Sequence, residues 1–209
     1  MSRRDVTGII LAGGASVRFG SDKLAAPVGG RPLLEHALEA VAAVAHDLVL
    51  VLGPASNVPV LPAELRERVA IVRDAAEHAG PLAGLAGALD GIVDRDARRA
   101  ATLGLVVGGD MPSMEPAVLR LLVDELAAAP SLLAMTLASP EPAPLPMAVR
   151  LQARAAAAHL LTGTGRRSLL ALLGSIQSGT VAQAAWRLLD PAGRTLRDVD
   201  TPADLQGDE

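Results

Sequence analysis

Leu11-Ala12-Gly13-Gly14-Ala15-Ser16-Val17-Arg18-Phe19-Gly20-Ser21-Asp22-Lys23 is the stretch from which the rest of this chain is read. The apolar run Val6 to Ala12 leads into it, which predicts a buried strand ending in a glycine loop. Gly13, Gly14 and Gly20 leave backbone N–H groups unshielded, and Arg18 and Lys23 add two cations. Bare N–H groups beside cations suit a polyphosphate. Spacing excludes two common phosphate loops. Ser21 follows Gly20 where a Walker A loop requires Lys, and the G-x-G-x-x-G spacing is absent. The plainer alternative is a glycine loop with a structural role only.

Outward from that loop, composition bounds the protein. The chain of 209 residues suits one domain, 1–209, with ample length for a core. It is 50% hydrophobic and 20% charged, which places it among globular chains. A net charge of −4 argues against a nucleic-acid surface but leaves room for a nucleotide pocket with local cations. With no cysteine, disulfides and thiolate metal sites are excluded, so any metal should be hard and oxygen-held. No apolar run reaches the roughly 18 to 20 residues that span a bilayer. Arg3-Arg4 is followed by Asp5 rather than a signal-like stretch, so a cytoplasmic protein without membrane contact is expected. With one Phe, one Trp and no Tyr, a nucleobase must be held by aliphatic side chains and backbone.

Taken in order, Leu24 to Val28 is short and apolar, and Gly29-Gly30 turns it. Pro32 is expected to open an amphipathic helix to about Ala45, with Leu33, Leu34, Ala37, Leu38 and Val41 on one face. Leu48–Leu52 and Val69–Val72 read as buried strands. Gly80-Pro81-Leu82-Ala83-Gly84 then starts a helix to about Ile92, its unshielded N-terminus able to face an anion or simply to begin a helix. A fourth strand, Thr102 to Val107, delivers Gly108-Gly109-Asp110 to the carboxyl edge where open α/β sheets bind ligands. Asp110 could instead cap the following helix, although Ser113 looks the better cap. Glu115–Ala128 reads as a helix, Ser131–Ala138 as a strand, and the proline-rich 139–144 as a surface loop. Two helices follow, Leu151–Leu161 and Ser168–Leu173. Between them Arg166 and Arg167 could meet a second phosphate or form a solvated helix cap. Thr201-Pro202-Ala203-Asp204 has capping-box spacing. The alternation of strands and helices argues for an α/β fold around a mostly parallel sheet.

The opening stretch resembles, almost residue for residue, the signature L-A-G-G-x-S-x-R-M-G-x-D-K of the molybdenum cofactor guanylyltransferase (MobA-like) family of nucleotidyltransferases. Phe19 stands where the family has Met. Gly80–Leu85 is similar to the family's G-P-L-A-G-[IL], Gly109-Asp110-Met111-Pro112 to its [CG]-D-x-P, and Asp198–Leu205 to its N-x-[ND]-T-P-E-[DE]-L. The chain departs from the pattern at Ala143, Val149 and Asp198. The resemblance implies a single-domain three-layer sandwich with a Rossmann-like nucleotidyltransferase fold. It implies GTP and a molybdopterin phosphate as substrates, Mg²⁺ as cofactor, and transient contact with other cofactor-biosynthesis proteins. It assigns catalytic roles to Arg18, Lys23 and Asp110, and metal binding to Asp110 and Asp200. Nucleotide binding falls to Leu11, Ala12, Gly13, Gly14, Lys23, Asp74, Gly80, Pro81, Leu82 and Asp110. A carboxylate such as Asp74 suits the N1–H and amine donors of guanine. A phosphate nucleophile is already ionised, so no strong base is required, and none of the four His, His78 included, has a nucleophile-like setting. The alternatives are a related cytidylyl- or sugar-phosphate nucleotidyltransferase, and a nucleotide-binding module that has lost catalysis.

Overall fold

The computed structural model describes residues 2–13, 23–74, 80–95, 102–201 and 203–204. Strand β1 (Val6–Ala12) is an interior strand of a seven-stranded sheet. A 3₁₀ turn, Lys23–Ala25, leads to a small antiparallel hairpin, β2 (Pro27–Val28) and β3 (Arg31–Pro32). Gly29 and Gly30 both adopt positive φ in its two-residue turn, the conformation that matches strand twist. Helix α1 (Leu33–Ala42), β4 (Asp47–Leu52), β5 (Val69–Arg73), α2 (Pro81–Arg95), β6 (Leu103–Gly108) and α3 (Pro116–Ala128) follow. Beyond them lie β7 (Ala134–Leu137), β8 (Met147–Arg150), α4 (Arg154–Thr162), α5 (Leu169–Ser175), β9 (Ser178–Val181) and α6 (Gln183–Trp186).

The sheet order is β5-β4-β1-β6-β8-β7-β9. All neighbours run parallel except those flanking β8, which is antiparallel to both β6 and β7. Alternation along β1 divides the core. Ile10 packs with α1 and α3 on one face, and Ile9 with α2, α4 and α5 on the other. The expected three-layer α/β sandwich with a mostly parallel sheet is therefore the observed one.

Some boundaries differ from the sequence reading, each for a physical reason. Pro32 pairs in the hairpin and sits at the N-cap of α1 with ψ 138°, so the helix begins at Leu33 and ends at Ala42. Ser113 does not cap α3. Pro116 occupies its first turn, and Glu115 is the N-cap residue, its backbone N–H donating to Thr195 Oγ1 at 3.1 Å. The strand expected from Ser131 begins at Ala134, because a turn closed by Leu132 N–H on Ala129 O comes first. Strands β8 and β9 and helix α6 escaped the sequence reading. Each is four residues long, too short to show a period.

Candidate active site

Three parallel strands end side by side: β5 at Arg73, β4 at Leu52 and β1 at Ala12, with β6 on the far side of β1. Their carboxyl ends open into a cleft of about 490 Å³. Leu11, Ala12 and Gly13 form its floor, and Gly80, Pro81 and Gly84 bring the start of α2 to its rim. Lys23, Asp110 and Asp200 line one side and Asp74 the other.

Lys23 is held at the cleft by its 3₁₀ turn. Leu24, the next residue, packs against Val28, Leu33 and Val199. Asp110 is set by the end of β6, where Gly109 N–H donates to Leu11 O at 2.9 Å. The C-terminal segment is fastened to the same turn, since Val199 N–H donates to Asp110 O at 2.9 Å. That bond carries Asp200 across 90 residues of sequence to face Asp110. The Lys23 ammonium then donates to Asp110 Oδ2 at 2.9 Å and to Asp200 Oδ1 at 3.3 Å. Its side chain is 12% exposed, against 33% for Asp110 and 58% for Asp200. Burial alone would lower the Lys23 pKa, but the hydrogen bonds and charges of the two aspartates outweigh it and hold the pKa above its ordinary value.

Asp74 stands on the other side of the cleft, fixed by its own N–H donating to Leu52 O at 2.9 Å. Its carboxylate lies over bare backbone. A Cβ on Gly13 would come within 2.8 Å of Asp74 Oδ2, and one on Gly84 within 3.2 Å of Oδ1. A side chain at either position would therefore crowd this carboxylate, most closely at Gly13. Partial burial pushes the Asp74 pKa up.

The structure brings together Leu11, Ala12, Gly13, Lys23, Asp74, Gly80, Pro81, Asp110 and Asp200 from the sequence-derived set. Leu82 is not among the lining residues. Its side chain is fully buried in the α2 face of the core. Gly14, Arg18 and His78 lie outside the described residues, as does Pro202. Arg166 and Arg167 are exposed and do not line the cleft; Arg167 Nη2 donates to Gly163 O at 3.3 Å. Val149 is a buried core residue of β8. Asp204 Oδ2 accepts from Thr201 N–H and Oγ1 and from Asp200 N–H, so the carboxylate does the capping and braces Asp200.

Leu24, Val51, Gly84, Gly108 and Leu145 complete the lining and were not singled out as site residues from sequence. Each adjoins or lies within a motif or strand read from sequence, Leu145 falling in the family-like stretch between Ala143 and Val149. Asp198 was noted only as a departure. Its pKa is raised by partial desolvation, then by the charges of Asp200 and Asp110, which places it in the field of the same carboxylates. Among the described residues no cluster of three or more His, Cys, Asp or Glu is arranged to hold a metal. No described helix is long and apolar enough to cross a membrane.

Residues 8–181 match the family described as MobA-like NTP transferase domain, and the chain belongs to it. It is 28% identical over 204 residues to a Chloroflexus aggregans protein named "Probable molybdenum cofactor guanylyltransferase", covering 96% of this chain and 92% of that one. It is 36% identical to a Pyrococcus furiosus protein of the same name over 61% of this chain and 58% of that protein. The crystal structure of molybdopterin-guanine dinucleotide biosynthesis protein A from Archaeoglobus fulgidus superposes with a TM-score of 0.76 at 22% identity, covering 97% of this chain and 96% of that one.

Proposed function

We propose that this member of the MobA-like NTP transferase family transfers the guanylyl group of GTP to a phosphate of molybdopterin, with release of pyrophosphate. The name molybdenum cofactor guanylyltransferase, carried by its relatives, supports that substrate pair. The observation that carries the reading is the Lys23 ammonium bridging Asp110 and Asp200 at the mouth of a nucleotide-sized cleft.

In this reading an oxygen of the acceptor phosphate attacks the α-phosphorus of GTP. The bond to the α–β bridging oxygen breaks, and that oxygen leaves with pyrophosphate. The nucleophile is already ionised, so the protein's task is alignment and charge neutralisation. Lys23, joined by Arg18, balances the charge growing on the leaving pyrophosphate. The floor of Leu11, Ala12 and Gly13 positions the nucleoside, and Asp74 accepts from the N1–H and amine of guanine.

Asp110 and Asp200 would hold Mg²⁺. Two carboxylates already converging on one cation, with phosphate oxygens to complete the shell, form a donor set suited to that ion. When bound, the ion neutralises and orients the phosphates.

Calorimetric titration of GTP, CTP and ATP, with and without Mg²⁺, into the wild type and Asp110→Ala tests this. Magnesium-dependent binding that prefers GTP and is lost in the variant is the expected result. Preference for CTP moves the protein to a cytidylyl reaction on the same site. Failure to bind any nucleotide overturns the enzymatic reading.

A further inference from the structure

Arg73 ends β5 and pairs in register with Leu52 of β4. Strand alternation sends Asp74 to the α2 face, into the cleft, and Arg73 to the opposite face. There the Arg73 guanidinium meets the loop that follows β4. Its Nη1 lies 3.1 Å from Gly53 O, 3.2 Å from Pro54 O and 2.8 Å from Ser56 O. Three carbonyls of one loop thus converge on a single cationic nitrogen.

The loop has little else beneath it. Ala55, Ser56 and Asn57, with Pro59 and Val60, border a hollow of about 530 Å³ whose other walls include Leu34 and Leu38 of α1. A loop over a hollow takes its position from polar ties rather than from packing. Besides Arg73, one short backbone bond, Ser56 N–H to Gly53 O at 3.2 Å, shapes it. Its first residue abuts the cleft floor: Gly53 N lies 3.3 Å from where a Cβ on Gly13 would stand, and the same Cβ would collide with Asp74.

We infer that Arg73 is a positioning residue for nucleobase recognition, clamping the 53–56 loop so that Gly53, Gly13 and Asp74 keep one fixed spacing. The inference rests on the reading that the guanine lies beside Asp74. Arg73 lies on the β5 side of β1, whereas Lys23 and Asp110 meet on the β6 side, so the clamp acts on base selection and leaves phosphate chemistry alone.

The test compares wild type with Arg73→Ala and Arg73→Gln. Affinities for GTP, ATP and pyrophosphate are measured, together with kcat, KM and melting temperature. Losing charge-assisted bonds to the loop should weaken GTP about tenfold in Arg73→Ala and narrow its preference over ATP to a similar degree. Pyrophosphate affinity and kcat should stay within about twofold. Arg73→Gln, whose amide still donates to carbonyls, should recover part of the preference and supplies a folded variant if the alanine form is unstable. A wild type without preference for GTP would sink the guanine reading beneath the inference. A wild type that prefers GTP, with variants that keep both affinity and preference, would overturn the role of Arg73 alone. Equal loss of GTP and pyrophosphate, or a lower melting temperature with unchanged selectivity, would reduce Arg73 to a structural residue and overturn it too.

Discussion

Lys23 is the side chain through which two distant aspartates share one charge. Removing it leaves Asp110 and Asp200 facing each other without their cation and, in the proposed reaction, leaves the departing pyrophosphate unneutralised. Lys23→Ala and Asp110→Ala are each expected to lower turnover about a hundredfold or more, read by steady-state pyrophosphate release. Because its folded pKa is raised, Lys23 keeps its charge at neutral pH and loses it only as pH climbs through that raised value. Asp74 presents the opposite case. Burial raises its folded pKa, so the folded state holds its proton more tightly than the unfolded chain does. That preference favours folding below the unfolded pKa. It is lost as pH rises through the unfolded and then the folded value. Above the folded value the ionised Asp74 is therefore a cost to stability, one that the proposed contact with guanine would explain. Asp74→Asn is expected to melt no lower than wild type at pH 7, judged by thermal scans, while its GTP affinity falls. A lower melting temperature at pH 7 than wild type would contradict that sign.

Helix α1 ends without a glycine, and arginines from elsewhere in the chain bond its last carbonyl, Ala42 O, and the carbonyls of the turn that follows it. Arg68 Nε donates to His46 O at 2.7 Å and Nη2 to Ala45 O at 2.9 Å. Arg120 Nη2 donates to Val44 O at 2.9 Å, and Arg3 reaches Ala42 O. Cations at a helix C-terminus also oppose its dipole. Arg68→Ala should cost about 2 kcal/mol and lower the melting temperature by about 5 °C, with kcat/KM per folded molecule unchanged. A comparable arrangement holds the segment that delivers Asp200. The buried Asp190 carboxylate accepts from Thr195 N–H at 2.7 Å, and the Thr195 hydroxyl receives Glu115 N–H from the start of α3. Burial pushes the Asp190 pKa up, but bonds from Thr195, Arg194 and Gly193 outweigh it and bring the pKa below the usual carboxylate range. Its contribution is present above the unfolded pKa and fades as pH falls through the folded one.

At the scale of the molecule, one sheet separates two apolar layers that share every strand from β4 to β8. None of these strands can leave without opening both layers, so unfolding should be one cooperative event. Trp186, the single tryptophan, reports on the far edge. It is fully buried, its Nε1 donates to Ala138 O at 2.9 Å, and Arg187 lies 4.8 Å from its ring centre. Urea transitions followed by tryptophan fluorescence and by far-ultraviolet circular dichroism should coincide. A fluorescence midpoint at lower urea would mean that the β7–β9 edge unfolds first.

Much of this architecture is legible in the chain because its cause is local. Leu48–Leu52 is an unbroken apolar run and Val6–Ala12 is interrupted only by the buried Thr7, as suits strands buried on both faces, and Pro81 and the glycines around it mark the start of α2. The residues of the glycine-rich stretch, Asp110 and Asp200 could be named from motifs alone. What no local pattern contains is pairing at long range. Strand β9, Ser178-Gly179-Thr180-Val181, has no apolar signature of its own and exists because β7 offers it a parallel edge. Leu82 belongs to a motif yet turns inward, because helical geometry, not motif membership, decides which face a residue presents. The convergence of Lys23, Asp110 and Asp200, and the clamp of Arg73 on the 53–56 loop, depend on hydrogen bonds between segments far apart in sequence. Local chemistry determined which elements form and which residues carry charge. The tertiary structure decided which of those charges meet, because only packing sets distances across the sheet.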